Sequence, residues 1–259
     1  MLKLFEHPLS PYVQKVKLAL LEKGIPFETE IPDILAGGSA EFAATNPRLE
    51  IPALIDGDVK VFDSTIILEY LEDKWPTPAM LPSSPAERAC VRMIEELCDT
   101  YYEAVNWAMY EIRVFKRATG DLAEMLLARA GEQIAGINTR LERELAARQY
   151  FNGTAFGWGD LSVFPAVNAA AFNGFPPAAG SALEGWLERV RVRPSAQKVL
   201  ASAAESMTGF DMLPQLIASG HFVREYRDHR LEWMMRSGGA QIVLDGMAKQ
   251  NIRFSVELS

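Results

Sequence analysis

Cysteine and histidine are scarce in this 259-residue chain, and that scarcity removes several chemistries. The cysteines are Cys90 and Cys98 alone. Eight positions apart on one expected helix, they are separated by about 12 Å of rise, too far to bridge. They are expected as core residues of a reduced protein. The histidines, His7, His221 and His229, have no metal-ligand spacing, so no metal is expected. No glycine-rich phosphate loop occurs. A net charge of −8 without any basic run argues against nucleic acid or an anionic membrane as partner. No apolar run approaches the ~18 residues of a membrane span, and the opening Leu2–Phe5 segment is too short for a secretory leader, so a cytoplasmic location is expected.

What is present is concentrated in the first 75 residues. Leu2-Lys3-Leu4-Phe5, bounded by His7-Pro8, reads as a strand. From Pro11 to Lys23 the apolar Val13, Val16, Leu18, Ala19, Leu20 and Leu21 fall at mostly helical spacing, with Gln14, Lys15 and Lys17 on the other, polar side. Ser10 suits the N-cap, Pro11 the first helical position and Gly24 the C-terminal stop. Pro26 to Ile31 is a second extended piece. Ala53-Leu54-Ile55 and Val59-Lys60-Val61, split by Asp56-Gly57-Asp58, predict a hairpin, because Asp-Gly supports the tight turn. Asp63 to Lys74 predicts a helix that stops at Trp75-Pro76. The order is βαβ, a connecting helix, then ββα.

A helix N-terminus carries about half a positive charge and several free N–H groups, so it favours an anion. A Ser10 hydroxyl there can donate to a bound thiolate. A thiol of pKa near 8.5 is only about 3% ionised at neutral pH, and lowering that pKa by ~2 units makes thiolate the majority form. Taken alone, Ser10 reads first as a plain N-cap, and the downstream motifs reverse that preference. Downstream, Ile51-Pro52 precedes the hairpin. A cis bond would turn the Ile51 backbone outward to a strand-like peptide ligand, whereas a trans proline would merely start an edge strand. Asp63-Ser64 can take an ammonium and a carboxylate at a helix start, or simply cap it.

These motifs together resemble the glutathione S-transferases, in particular the serine-type tau-, theta- and zeta-like classes and their bacterial relatives. Ser10-Pro11-Tyr12-Val13 is similar to the family's catalytic Ser-Pro-aromatic step, Asn46-Pro47 through Ile51-Pro52-Ala53-Leu54 to its Asn-Pro…Val-Pro-x-Leu, and Asp63-Ser64-Thr65-Ile66-Ile67-Leu68-Glu69-Tyr70-Leu71 to its third motif. Phe156 to Ser162 resembles the capped helix of its all-helical domain. The resemblance spans about residues 1–205. It implies an α/β thioredoxin-like N-terminal domain over 1–76, followed by an all-α domain over 86–259 with a long extension from about 206. It further implies glutathione as co-substrate, bound by Ser10, Arg48, Ile51, Pro52, Asp63 and Ser64, and a homodimer. Glu69, Glu72, Arg88 and Arg92 are the candidates for charge pairs across its interface.

Departures sharpen the expectation. Glu50 stands where the family often carries Lys or Gln, and no lysine lies between Gly24 and Val59, leaving Arg48 as the near cation for glutathione's glycine carboxylate. Zeta-type isomerases carry Ser-Ser-Cys where this chain has Ser10-Pro11-Tyr12, and thiol-reducing relatives carry Cys at the Ser10 position. Both activities therefore lose support.

Beyond a proline-rich linker at Pro76–Pro85 the pattern is helical. Glu87–Arg117 is expected as one long helix with Met93, Leu97, Tyr101, Ala104 and Ala108 on its apolar stripe, followed by helices over Asp121–Arg148, Leu183–Val192 and Pro194–Ala204. Asp160, three residues after Gly157, predicts a weakened capping box, because glycine cannot reciprocate. Tyr12, Tyr102, Trp107 and Met109 are the acceptor-pocket candidates. The tail carries Phe210, Phe222, Tyr226, Trp233, Met234, Met235, Met247 and Phe254 among Arg224, Arg227, Arg230 and Arg236, as a lid, a dimer arm or a packed helix. Three functions compete. One is a detoxifying transferase, in which thiolate attacks a small apolar electrophile. Another is a glutathione-dependent lyase, etherase or dehalogenase. The third is a non-catalytic binding or assembly module.

Overall fold

A strand of four residues, β1 (Leu2–Phe5), opens the computed structural model, which describes residues 1–33, 38–208, 210–219, 231, 235 and 240–249. β1 leads through His7-Pro8 into α1 (Pro11–Glu22), and β2 (Phe27–Glu30) returns parallel to β1. After α2 (Ala40–Thr45), β3 (Ala53–Asp56) and β4 (Val59–Phe62) form an antiparallel hairpin around Gly57, whose φ of +61° the tight turn requires. The sheet order is β2-β1-β3-β4, with Leu4 facing Leu54 and Leu54 facing Val61 across the strands. Helix α3 (Ser64–Lys74) completes the expected βαβ–α–ββα order.

All-helical structure follows: α4 (Pro85–Leu97), a wide π turn at Cys98–Tyr102, α5 (Glu103–Arg113), α6 (Gly120–Leu145), α7 (Trp158–Phe172), α8 (Ala182–Arg191), α9 (Pro194–Ser206) and α10 (Leu213–Ala218). A further helix covers Ala240–Ala248. Of the aromatic and charged tail residues, Phe222, Tyr226, Trp233, Met234, Phe254, Arg224, Arg227, Arg230 and Arg236 lie outside the described residues.

Helix α1 is covered on both sides, which overturns its expected polar face. Every residue from Val13 to Leu20 is buried, including Gln14, Lys15 and Lys17. One apolar core runs from Leu4, Val16 and Leu54 of the sheet region into Val91, Ile94, Leu161 and Val167 of the helices, and α1 is the element between. Its polar side chains are therefore matched individually. Gln14 Nε2 donates to the Pro8 carbonyl at 2.8 Å, and Lys17 pairs with Glu6 at 2.7 Å. Lys15 Nζ, 1% exposed, bonds Glu95 at 2.6 Å and Asp99, and reaches Thr65 Oγ1 at 3.3 Å. Glu95 also accepts from Thr65 Oγ1 at 2.9 Å and from the Trp158 indole. One buried ionic cluster thus joins α1, α3, α4 and α7.

The long helix expected over Glu87–Arg117 is broken at the π turn, and its buried stripe is different. Of the expected residues, Leu97 is buried and Tyr101 packs against the core, but Met93 and Ala104 face solvent, whereas Val91, Ile94, Glu95, Cys98, Tyr102, Asn106 and Met109 face inward. An apolar count missed that stripe because Glu95 and Asn106 belong to it. Cys98 is buried, and burial pushes its thiol well above the usual range, but Cys90 is exposed and not a core residue. The charges expected between subunits are engaged within the chain. Glu69 pairs with Arg92, Arg88 Nε donates to the Pro82 carbonyl, and Glu72 accepts from Met80 N, Leu81 N and Lys23.

The capping box at α7 is not weak. Asp160 is fully buried and its carboxylate accepts from Gly157 N at 3.0 Å, Phe151 N at 2.9 Å and Trp186 Nε1 at 2.7 Å. Burial pushes its pKa up to about 6 against those donors. Gly157 has an extended φ of −171°, so its conformation is open to any residue. Space is the reason for glycine, since a Cβ would strike the Asn152 side chain and the Met80 carbonyl. Gly157→Ala is therefore expected to cost about 1–3 kcal/mol, read as a lower urea midpoint at unchanged slope.

Candidate functional site

Ser10 caps α1 with φ −71° and ψ 120°, and its Oγ accepts from Val13 N at a long 3.4 Å. Its own hydroxyl hydrogen has no acceptor among the described residues. Ser10 is half-buried on the wall of a cavity of about 810 Å³ between the sheet region and the helices. Pro11, Tyr12 and Ile51 line the same side, and α5, α7 and α9 supply the opposite wall through Trp107, Tyr110, Pro165, Ala169, Leu200 and Met207. The lining is mostly apolar, as is usual for a pocket that takes a small organic molecule.

Tyr12, two residues from Ser10, presents a second hydroxyl, but it donates to the Asp99 carbonyl at 2.7 Å. Burial, then the Glu103 and Asp99 carboxylates, push its pKa well above the usual phenol range. His7 also lines the cavity, and burial lowers its pKa, keeping it neutral. Its Nδ1 accepts from Leu9 N at 3.3 Å, so the proton sits on Nε2. Nothing in the sequence singled out His7, because one histidine before a proline carries no spacing signal.

The Ile51–Pro52 bond is cis. Ahead of it, the buried Asn46 orders the turn, donating from Nδ2 to the Glu50 carbonyl at 2.8 Å and accepting from Arg48 N at 3.0 Å. Asp63 caps α3, its Oδ1 accepting from Thr65 N at 3.0 Å and Ile66 N at 3.3 Å. It does so at φ +72°, where a non-glycine residue is strained by about 1–3 kcal/mol, a cost that clusters at ligand-binding positions. Ser64 beside it is buried.

The expected site residues divide. Ser10, Tyr12, Ile51 and Trp107 share the cavity wall, whereas Asp63 lies on a smaller hollow with Lys60, Phe62 and Ile66. Tyr102 and Met109 are fully buried in the core, off that wall, and the Tyr102 hydroxyl donates to Asn138 at 2.8 Å. Their helical spacing signalled packing. Arg48, the stand-in cation, is held by Glu50 through contacts at 2.8 and 3.0 Å. Among the described residues no group of His, Cys, Asp and Glu could hold a metal, and no helix is long and apolar enough to cross a membrane.

Comparison with known proteins agrees with this architecture. Residues 4–79 match the glutathione S-transferase N-terminal domain and residues 124–189 the C-terminal domain. The chain is 29% identical over 212 residues to glutathione S-transferase 3 of Zea mays, covering 78% of this chain and 94% of that protein. It is 32% identical over 185 residues to glutathione S-transferase Z2 of Arabidopsis thaliana, covering 67% and 78%. The crystal structure of a tau-class glutathione S-transferase from mango, Mangifera indica, shares the fold, with TM-score 0.68 and 23% identity over 82% of this chain and 98% of that one. With both domain families matched and a four-stranded sheet packed on a helical domain, the chain belongs to the glutathione S-transferase superfamily.

Proposed function

We propose that the chain conjugates glutathione to a small apolar electrophile, with Ser10 holding the thiolate. The observation that carries this reading is the state of the two hydroxyls at the start of α1. Tyr12 has committed its proton to the Asp99 carbonyl, while Ser10 keeps an uncommitted proton on the cavity wall, beside helix-end N–H groups. In the reaction the thiol proton passes to solvent, the sulfur attacks carbon, and a leaving group such as chloride departs with its electron pair. Ser10 and the helix terminus act on the charge of the sulfur, and the opposite helices hold the electrophile and exclude water. Formation of the glutathionyl dinitrobenzene from a chloronitroarene, with chloride released, is the test. Tight glutathione binding without product from a panel of halides, epoxides and isothiocyanates would favour a binding module instead.

The grip on glutathione lies further along. The γ-glutamyl group is assigned to Asp63 and Ser64, with the Ile51 backbone beside the cis proline taking the peptide. The pairing of Arg48 with Glu50 supports modest affinity for the glycine carboxylate. Asp63→Asn and Ser64→Ala should raise the apparent glutathione constant several-fold with little change in kcat, because a remote contact acts on ground and transition states alike. Unchanged glutathione constants in both variants, measured at saturating acceptor, would put the γ-glutamyl site elsewhere.

A further inference from the structure

The loop that delivers Ser10 to the cavity also delivers His7, which the transferase reading leaves without a task. His7, Leu9 and Ser10 all line the cavity. Ser10 N donates to the His7 carbonyl at 2.9 Å, closing a turn that keeps the two Cα atoms within about 7 Å. The loop is held from behind, since Pro8 is buried and its carbonyl accepts from Gln14 Nε2 at 2.8 Å. Leu9 N donates to His7 Nδ1 at 3.3 Å, which fixes the tautomer with hydrogen on Nε2. Burial lowers the pKa of the ring against the pull of the Glu6 carboxylate, so the ring is neutral. No described residue accepts from Nε2, and the half-buried ring keeps that atom open on the cavity side.

A donor held this way is oriented before any ligand arrives, and such donors act where charge develops during a reaction. The other donors near Ser10 have tasks. The Ser10 hydroxyl is assigned to the sulfur, and Tyr12 donates to the Asp99 carbonyl at 2.7 Å. Arg191, further along the wall, is engaged by Asn168 Oδ1 at 3.0 Å and Glu188 at 2.8 Å. Tyr110 has a hydroxyl without a described partner, but it stands on the opposite wall. His7 is therefore the open donor beside the sulfur.

We infer that His7 Nε2–H is a catalytic hydrogen-bond donor to the acceptor substrate, suiting the pocket to α,β-unsaturated ketones, whose attack places negative charge on oxygen. This rests on the transferase reading above and names its acceptor class. The glutathione sulfur bonds to the β-carbon, the C=C π pair shifts toward the carbonyl, and the C=O π pair moves onto oxygen. His7 donates to the enolate oxygen and keeps its own proton, and the α-carbon then takes a proton from water.

His7→Asn keeps a side-chain acceptor for Leu9 N but stops short of the Nε2 position, which the amide N–H of His7→Gln can reach. At saturating glutathione, trans-4-phenyl-3-buten-2-one is compared with benzyl chloride, in which the charge leaves on chloride. His7→Asn should lower kcat for the enone about 100-fold, and for benzyl chloride by no more than about threefold. His7→Gln should recover about tenfold of the enone loss, and Tyr110→Phe should cost the enone less than His7→Asn does. His7→Phe carries the comparison should His7→Asn lose its cooperative melt. Equal losses on the two acceptors, an undiminished enone rate, or an enone loss produced by Tyr110→Phe alone would overturn the inference. Contact is read without turnover from the saturated ketone 4-phenyl-2-butanone, bound beside S-methylglutathione. Its infrared carbonyl stretch should lie lower in the wild type than in His7→Asn, because a hydrogen bond weakens C=O, and an identical stretch would overturn the inference. A lowered stretch without turnover of either electrophile would instead overturn the transferase reading and leave the His7 contact standing.

Discussion

Ser10→Ala should lower kcat at neutral pH by about 2–4 kcal/mol in the barrier, roughly 30- to 1,000-fold, while the dissociation constant for glutathione moves only a few-fold. The asymmetry follows from where the hydroxyl acts. In the proposed complex it meets the sulfur, whose charge is decisive for attack, whereas the rest of the tripeptide is assigned to Asp63, Ser64 and the Ile51 backbone. Tyr12 does not replace it, because its hydroxyl is bound to the Asp99 carbonyl at 2.7 Å and its pKa is raised by burial. Tyr12→Phe should therefore leave turnover much closer to wild type than Ser10→Ala does. A Ser10→Ala enzyme with full turnover would reduce Ser10 to a helix cap.

Lys15→Met should be the most destabilising single change in the region between sheet and helices. Removing one partner of a buried ion pair costs about 3–5 kcal/mol, because the remaining carboxylates stay buried without a counter-charge. For a chain of this size that corresponds to a fall in Tm of about 6–20 °C. The deficit should depend on pH in a definite direction. Burial pushes Asp99 up to about 6, with Lys15 pulling it down, so loss of the ammonium raises it further. A carboxyl whose folded pKa lies above its unfolded value favours folding while protonated and loses that contribution as pH rises. The part of the gap between Lys15→Met and wild type that Asp99 contributes should thus be absent near pH 5 and grow above about 6, so the gap widens there. A gap independent of pH would remove Asp99 from the account.

The same lysine marks what was and was not legible in the sequence. Local signals held where backbone chemistry is decisive: Ser10 and Pro11 at the start of α1, Gly57 in the hairpin, Asp63 capping α3. Each of these is fixed by its own neighbours. Lys15 was misread because amphipathic periodicity assumes one buried face, and α1 has two. Its partners Glu95 and Asp99 lie 80 and 84 residues away, beyond any local pattern. The inward stripe of this stretch was likewise misread, because Glu95 and Asn106 belong to it and Met93 does not; it buries Tyr102 and Met109 and brings Asn106 to the cavity. Glycine at 157 read as a missing cap, although its role is the space it leaves for Asn152 and the Met80 carbonyl. In the site, Ser10 and the cis Ile51–Pro52 step were legible as motifs. His7 was not, and the hold of Glu50 on Arg48 is visible only in side-chain geometry.

The central claim is that this fold ionises a bound thiol through one hydroxyl and a helix terminus. It is tested most directly by titrating enzyme-bound glutathione through its ultraviolet thiolate absorbance, in the wild type and in Ser10→Ala, at saturating glutathione. Free thiol titrates near 8.5, and the wild-type complex should titrate about 2 units lower, with Ser10→Ala returning most of the way. Wild-type and variant complexes titrating together, or a wild-type midpoint no lower than that of free glutathione, would contradict it.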